Sequence, residues 1–223
     1  MYDGIDISRW QGNIDFEKVK ASGIDFVIIK AGGSDKGFYK DPKFEENYKK
    51  AKAAGLKVGA YYFVGRKFYG DISGIADAHR FINILGDKQF EYPVFVDIET
   101  TDPIYKDFAT DAAISFCVEM EKAGYFVGIY ASDVSGFKDR LELDRVKRFL
   151  PWVARYGNEP SYNEDWEIWQ YSSKGNIPGI SSNVDLDRSK TDLSKVIIEK
   201  GFNNFKKAET PKRAATKRRK KNE

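Results

Sequence analysis

Short apolar runs alternate with amphipathic stretches through the first 131 residues of this chain, and each amphipathic stretch is followed by a glycine. The apolar runs predict β-strands, and the longer stretches predict helices that end at the glycine. Strands that alternate with helices form a parallel sheet with helices packed on its faces. We predict strands at residues 4–7, 26–31, 58–63, 93–97 and 126–131, and helices at 15–22, 42–54, 73–85 and 110–123.

The alternation becomes less regular after residue 131. Three further strands are predicted at 151–155, 166–171 and 183–186, with loops between them, and a closing helix at 192–200. The prediction is therefore an α/β fold with eight strands and fewer helices than a regular eightfold barrel contains. We expect one domain over residues 1–205, followed by a basic, disordered tail or linker at 206–223.

The composition excludes several kinds of site. The chain has one histidine, His79, and one cysteine, Cys117, and both fall in predicted helices. We therefore expect neither a metal site of histidine and cysteine ligands nor a serine–histidine–aspartate triad. With a single cysteine, the chain cannot form an internal disulfide. No run approaches the length of a membrane span, and the N-terminus lacks the basic and apolar regions of a secretory signal.

Nucleotide binding also has little support. No G-x-G-x-x-G loop follows a predicted strand. Gly32 and Gly37 have the glycine spacing of a phosphate-binding loop, but Phe38 and Tyr39 stand where that loop requires lysine and serine or threonine. We expect no nucleotide, no metal and no other cofactor.

A charged or aromatic group stands at or near the end of every predicted strand. In parallel α/β barrels these ends meet on one face, where active sites are built. A charged or aromatic group at all eight ends predicts a cleft. The groups are Asp6, Lys30, Tyr61 to Phe63, Asp97 and Glu99, Tyr130, Trp152 and Arg155, Trp169 to Tyr171, and Asp185 and Asp187.

Asp97 and Glu99 are the most suggestive of these groups. They follow an apolar strand two residues apart, so their side chains are expected on one face, roughly 6.6 Å apart along the chain. Two like charges that close raise at least one pKa, and an acid paired with a second carboxylate is the minimum equipment for cleaving a glycosidic bond. Aromatic faces such as those of Tyr62, Tyr130, Trp152 and Trp169 suit the C–H faces of sugars. Lys30 and Phe63, at the ends of their strands, are further candidate substrate contacts.

The ordered motifs of the chain resemble those of the family 25 glycoside hydrolases, the Chalaropsis-type lysozymes. The opening GIDISRWQG at residues 4–12 resembles the family's G-x-D-x-S-x-x-Q-G, GAYYF at 59–63 its aromatic strand, and VDIE at 96–99 its D-x-E strand. GIYAS at 128–132, WQY at 169–171 and VDLD at 184–187 follow in the family's order. The resemblance covers residues 1–198 and implies an irregular, TIM-like β/α barrel.

The resemblance also implies an activity and roles for individual residues. The family cleaves the β-1,4 bond between N-acetylmuramic acid and N-acetylglucosamine in bacterial peptidoglycan. Glu99 would be the general acid, and Asp97 would orient the substrate's acetamido group. Asp6 and Asp185 would complete the acidic floor, with Asp187 as a possible substitute for Asp185. The implied substrate contacts are Tyr62, Tyr130, Trp169 and Gln170.

Two mechanisms and two other functions remain open at this point. The acetamido oxygen could attack the anomeric carbon, which we favour, or Asp6 or Asp97 could act directly or through water. The chain could instead be a wall-binding module without activity. It could also be a chitinase-like hydrolase, although Tyr92 and Phe95 stand where the longer D-x-x-D-x-D-x-E pattern needs aspartates.

The C-terminal tail is basic, whereas the rest of the chain is mildly acidic. Residues 206–223 carry nine Lys or Arg and two Glu, whereas the rest of the chain has 28 basic and 32 acidic residues. Such a tail could bind anionic wall polymers by charge. We expect a monomer that acts on the bacterial cell wall. The absence of a secretory signal fits a phage endolysin released from the host cytoplasm, or an excised catalytic domain.

Overall fold

A computed structural model of the chain describes residues 1–207 and contains the predicted eight-stranded barrel. Eight strands form the barrel, and a two-residue strand, β3, extends one of them. The strands are β1 Tyr2–Ile7, β2 Phe26–Gly33, β3 Tyr39–Lys40, β4 Lys57–Phe63, β5 Val94–Asp97, β6 Val127–Ser132, β7 Leu150–Ala154, β8 Ile168–Gly175 and β9 Val184–Ser189.

Fewer helices than strands surround this barrel, as predicted. Residues 1–207 contain the six α-helices α1 Phe16–Ala21, α2 Phe44–Ala53, α3 Gly70–Leu85, α4 Lys106–Lys122, α5 Leu143–Val146 and α6 Leu193–Lys200. Glycines end the predicted helices as expected: Gly55 and Gly124 follow α2 and α4 with φ of +73° and +85°, which favour glycine. No helix within residues 1–207 is long and apolar enough to cross a membrane.

The barrel closes between its first two strands. Its order is β1, β9, β8, β7, β6, β5, β4, β2, and β1 pairs with β2 in parallel from Gly4 opposite Phe26. Strands β1 to β8 are parallel wherever they pair within the barrel, whereas β9 runs antiparallel to both β8 and β1. The antiparallel β9 brings its N-terminal end, with Asp185, to the face where the other barrel strands end.

The lower half of the barrel interior is filled by large side chains. Phe26, Phe95 and Trp152 are fully buried there. Gly4 and Gly128 make room for the two phenylalanines, because a Cβ at either position would lie within 2.5 Å of a phenylalanine ring carbon. The barrel is therefore closed below, and only its upper end can accept a ligand.

The larger core lies between the barrel and its helices. Helix α3 lies against β2, and α4 lies against β5 and β6. Phe81 of α3 and Phe116 of α4 pack together and against Tyr62 of β4. Cys117 is a free cysteine that is buried in α4, within the helix predicted for it. Of the predicted tail at 206–223, residues 208–223 lie outside the described part of the chain, so the tail remains a prediction from sequence.

Candidate active site

Asp97 and Glu99 meet at the open end of the barrel. Asp97 is the last residue of β5 and is 3% exposed, and Glu99 stands two residues beyond it at the mouth. The two carboxyl groups lie close enough to change each other's pKa.

Burial raises the pKa of both carboxyl groups. For Asp97 the pKa lies well above the usual range, because of burial first and the charge of Glu99 second. Glu99 retains accessible surface, but the surrounding cleft displaces much of its hydration and raises its pKa as well. Asp97 and the charges of Lys30 and Arg140 limit that rise. The pair can therefore hold one proton near neutral pH.

Lys30 supplies a positive charge beside this pair. Its Nζ lies 4.1 Å from the ring centroid of Phe63 and 5.7 Å from that of Tyr61. The charge of Lys30 lowers the pKa of both Asp97 and Glu99. The aromatic rings hold the ammonium group by cation–π contact without neutralising it, so it can stabilise a negative charge on either carboxyl.

A chain of hydrogen bonds forms the floor of the cleft. The Gln170 amide Nε2 donates to Asp6 Oδ2 at 2.7 Å, and Gln170 Oε1 accepts from the hydroxyls of Tyr130 at 3.0 Å and Tyr156 at 3.3 Å. Asp6 is 5% exposed, and burial followed by the charges of Asp187 and Asp185 raises its pKa well above the usual range. The network fixes the amide orientation of Gln170.

The two aspartates of β9 occupy different depths. Asp185 pairs in register with Asp6 and is half-buried near the mouth, where burial and the charge of Glu99 raise its pKa to about 6. Asp187 lies one layer deeper, fully buried, and accepts a hydrogen bond of 2.8 Å from Trp152 Nε1. Of the two, Asp185 faces the open cleft, and Asp187 lies beneath the floor.

Eight further predicted groups can now be placed. Asp6, Lys30, Phe63, Tyr130, Trp152, Gln170 and Asp185 accompany the Asp97–Glu99 pair on the inner face of the barrel, and Trp152 packs at its base. Arg155 lies at the rim and pairs with Asp133. The structure therefore brings most of the predicted residues together.

Tyr62 and Trp169 are exceptions, and the structure corrects their predicted place in the cleft. Tyr62 is fully buried outside the barrel, between Phe81 and Phe116, and its hydroxyl bonds to Asp77 at 3.2 Å. Trp169 also points outward, and its Nε1 donates to the Arg155 carbonyl at 2.7 Å. Each is next in sequence to an inward residue, and successive strand side chains face opposite sides.

Tyr61, one of the groups expected at the strand ends, lies in the cleft, and the structure adds Tyr156. Tyr61 faces Trp152 at a centroid distance of 6.0 Å, and burial followed by the charges of Asp6 and Asp97 raises its pKa. Tyr156 follows β7 in an irregular loop, for which the sequence offered no signal.

Asp133 is a further residue that sequence reasoning missed. It opens a π-helical turn, Asp133–Lys138, after β6. Its carboxylate accepts hydrogen bonds of 2.9 Å each from Arg155 Nη1 and from the backbone N–H groups of Ser161 and Asn163. Asp133 thus fixes the loop between β7 and β8 that carries Tyr156.

The geometry defines a class of protein. A closed β/α barrel with a carboxyl pair, further buried acids and aromatic walls at its upper end is the arrangement of a glycoside hydrolase. Within residues 1–207 no cluster of histidine, cysteine, aspartate and glutamate is arranged to hold a metal ion. The chain belongs to the glycosyl hydrolases family 25. The sequence model of that family matches residues 5–180.

Known proteins agree with this assignment. The chain is 31% identical to an autolytic lysozyme of Clostridium acetobutylicum over 185 residues, which are 82% of this chain and 54% of that protein. It therefore spans about half the length of that relative. The structure superimposes on the CTP1L endolysin with a TM-score of 0.77 and 26% identity, covering 88% of this chain and 69% of that chain.

A second solved structure has the same fold over nearly its whole length. It is the catalytic domain of endolysin ply40 from bacteriophage P40 of Listeria monocytogenes, with a TM-score of 0.72 and 26% identity. The match covers 88% of this chain and 97% of that domain. The described barrel thus corresponds in extent to a catalytic domain.

Proposed function

We propose that this protein is a lysozyme that hydrolyses the β-1,4 bond between N-acetylmuramic acid and N-acetylglucosamine in peptidoglycan. The observation that carries the proposal is the position of Asp97 and Glu99 together at the open end of the barrel, where the pKa of each carboxyl group is raised. Such a pair supplies a protonated carboxyl and a carboxylate at one place. The family membership and the similarity to proteins named lysozyme and endolysin support this substrate.

Glu99 is the proton donor in this proposal, and Asp97 orients the acetamido group. Glu99 stands at the mouth, where a glycosidic oxygen can approach, whereas Asp97 is enclosed. An acetamido N–H that donates to Asp97 stabilises the carboxylate form of Asp97. Substrate binding therefore transfers the shared proton to Glu99, the group that must donate it.

The reaction then proceeds with retention. The acetamido oxygen attacks the anomeric carbon, the glycosidic C–O bond breaks, and the Glu99 proton goes to the leaving oxygen. Water next attacks the anomeric carbon, and the bond between that carbon and the acetamido oxygen breaks, which restores the acetamido group. Glu99, now a carboxylate, takes a proton from the attacking water. Lys30, beside both carboxyl groups, stabilises the negative charge that remains on Asp97.

The remaining cleft residues bind the sugars. The rings of Tyr61, Phe63 and Tyr130 line the inner face near the carboxyl pair, and Gln170 is held in one orientation by its hydrogen bonds. Asp185 is placed to accept hydrogen bonds from substrate hydroxyls at the mouth. The site of action proposed for this chain is the bacterial cell wall.

Digestion of purified peptidoglycan, followed by mass spectrometry of the products, tests the proposed bond. Muramic acid at the new reducing ends is the expected result, whereas glucosamine there would contradict it. Chitin oligomers cleaved in preference to peptidoglycan would support a chitinase-like hydrolase, and binding without cleavage would support a wall-binding module.

The stereochemistry needs a separate measurement. Proton NMR of the products at early times should show the β-anomer first, since retention preserves the configuration of the bond that is cleaved. An α-anomer as the first product would contradict retention while leaving the assignment as a lysozyme intact.

A further inference from the structure

Asp187 is a buried carboxyl group that the proposed reaction does not use. It has no exposed surface, and its Oδ1 accepts the 2.8 Å hydrogen bond from Trp152. Its Oδ2 is buried and has no protein donor. Burying an ionised carboxylate with one unpaired oxygen in an apolar interior costs free energy. A proton on or beside this oxygen removes that cost.

Asp6 is the neighbour that can share this proton. It lies diagonally across the β1–β9 ladder, in which Gly4 is paired with Asp187 and Asp6 with Asp185. The charge of Asp187 raises the pKa of Asp6, and Asp6 lowers that of Asp187, so the two carboxyl groups interact. Asp6 uses Oδ2 to accept from Gln170, as Asp187 uses Oδ1 to accept from Trp152. Each carboxyl therefore has one oxygen left for the other.

The outer partners of this pair are neutral. Trp152 and Gln170 donate hydrogen bonds but carry no charge, so they do not offset two negative charges. Two buried carboxyl groups that are neighbours cannot both be ionised near neutral pH. Burial raises the pKa of Asp187 to about 8, and burial together with the charge of Asp187 raises that of Asp6 well above its usual range.

We propose that Asp187 is a positioning residue that holds Asp6 through one shared proton, so that the pair carries a single negative charge. The proton lies between one oxygen of each carboxyl. It fixes Asp6 and, through Asp6, the amide of Gln170 at the floor of the cleft. This role is distinct from those of the acids that face substrate.

Other charged groups face the pair from the strands around it. Asp185 on β9 and Asp97 at the end of β5 raise the pKa of Asp6. The titratable and charged groups around the upper barrel are Asp185, Asp97, Glu99, Lys30, Tyr61, Tyr130 and Tyr156.

The shared proton also makes Asp6 a weak nucleophile, a consequence that rests on the proposed function. A carboxyl that shares its proton with a buried neighbour attacks poorly, since the attacking form is the free carboxylate. Asp6 is therefore a hydrogen-bonding group of the floor, and attack on the anomeric carbon falls to the acetamido group.

Carbon-13 NMR of the full chain, labelled at the aspartate carboxyl carbons and titrated from pH 4 to 10, tests the shared proton without substrate. The wild type should show a carboxyl transition near pH 8. The Asp187→Asn variant should lose that transition, because the amide can accept from Trp152 and donate to Asp6 in place of the proton. Asp6 should then titrate at a lower pH.

Two further variants make the assignment secure. Asp6→Asn should also remove the transition near pH 8, whereas Asp97→Asn should leave it in place and remove only the signal of Asp97. If every aspartate of the wild type titrates below about pH 6, the proposal is wrong, whether or not the variants fold. Survival of the transition in Asp187→Asn would likewise overturn it. Neither result depends on lysozyme activity.

Discussion

Asp97 and Glu99 act as one titrating unit, because each carboxyl changes the pKa of the other. A pair that binds one proton is active in a window of pH: it is inactive when both groups are protonated and when neither is. Burial raises both pKa values, so this window should lie higher than it would for two free carboxyl groups.

The Asp97→Asn variant should change the shape of the pH profile as well as its height. With one carboxyl left, the acidic limb of kcat/KM should disappear and the alkaline limb, set by Glu99, should remain. We expect activity to fall roughly 10²-fold, as for loss of one member of an acid–base pair. Initial rates on soluble peptidoglycan fragments between pH 4 and 9 measure this. An unchanged bell-shaped profile would contradict the paired titration.

Tyr61 and Tyr62 are adjacent in sequence but face opposite sides of β4. Tyr61→Leu should raise KM several-fold with little change in the melting temperature, since the ring lines the cleft. Tyr62→Leu should lower the free energy of unfolding by about 1–3 kcal/mol with little change in KM, because it leaves space in the core. Each variant is the control for the other. A KM effect confined to Tyr62→Leu would mean that the sides are reversed.

At the scale of elements, the Asp133 turn fixes the loop that brings Tyr156 to the cleft. Burial opposes the charge on Asp133, but backbone hydrogen bonds from residues 161–163 and the Arg155 guanidinium outweigh it and lower the pKa of Asp133. The loop has little secondary structure of its own between β7 and β8, and this carboxylate anchors it to the turn after β6.

Asp133→Asn should therefore loosen the loop. The amide cannot accept all of the hydrogen bonds, so we expect a loss of about 2–4 kcal/mol in the free energy of unfolding and a higher KM. Denaturant unfolding and steady-state kinetics measure the two effects. The matched control is Asp139→Asn at the exposed end of the same turn, which should change neither quantity. Equal effects of the two variants would rule out the anchoring role.

The elements also show what sequence can and cannot predict here. The strands were predictable because continuous apolar runs between glycine-ended helices have few alternatives. The antiparallel direction of β9 was not, because its loop connection to β8 allows either direction. The inner and outer faces depend on register. Tyr62 and Trp169 were expected in the cleft, but each lies one residue from the side chain that faces inward, Tyr61 and Gln170 respectively. Asp133 gave no signal because its partners lie about 30 residues away.

For the whole molecule, the buried acids should make the free energy of unfolding fall as the pH rises. The pKa values of Asp6 and Asp97 are well above the usual range, and those of Asp185 and Asp187 are raised to about 6 and about 8. The folded state thus binds these protons more tightly than the unfolded state does. Their contribution to stability is full below about pH 4 and is lost as the pH rises through the folded-state values.

The melting temperature should accordingly decline between about pH 5 and 8. Calorimetry in buffers of equal ionic strength measures this decline. The Asp187→Asn variant should show a shallower slope than the wild type over the same range, since it has one buried acid fewer. A melting temperature that rises steadily from pH 5 to 8 would show that the acids do not keep their protons in the folded state.

Lysis of purified peptidoglycan by the wild type and by Glu99→Gln tests the central claim most directly. Equal melting temperatures of the two proteins are the control that the variant is folded. The glutamine keeps the shape of the side chain but has no proton to donate, and a general acid contributes roughly 10²–10⁴-fold to the rate. The account predicts dye release by the wild type and a loss of that size in the variant. Full lysis by a folded Glu99→Gln would contradict the assignment of Glu99 as the acid at the centre of this site.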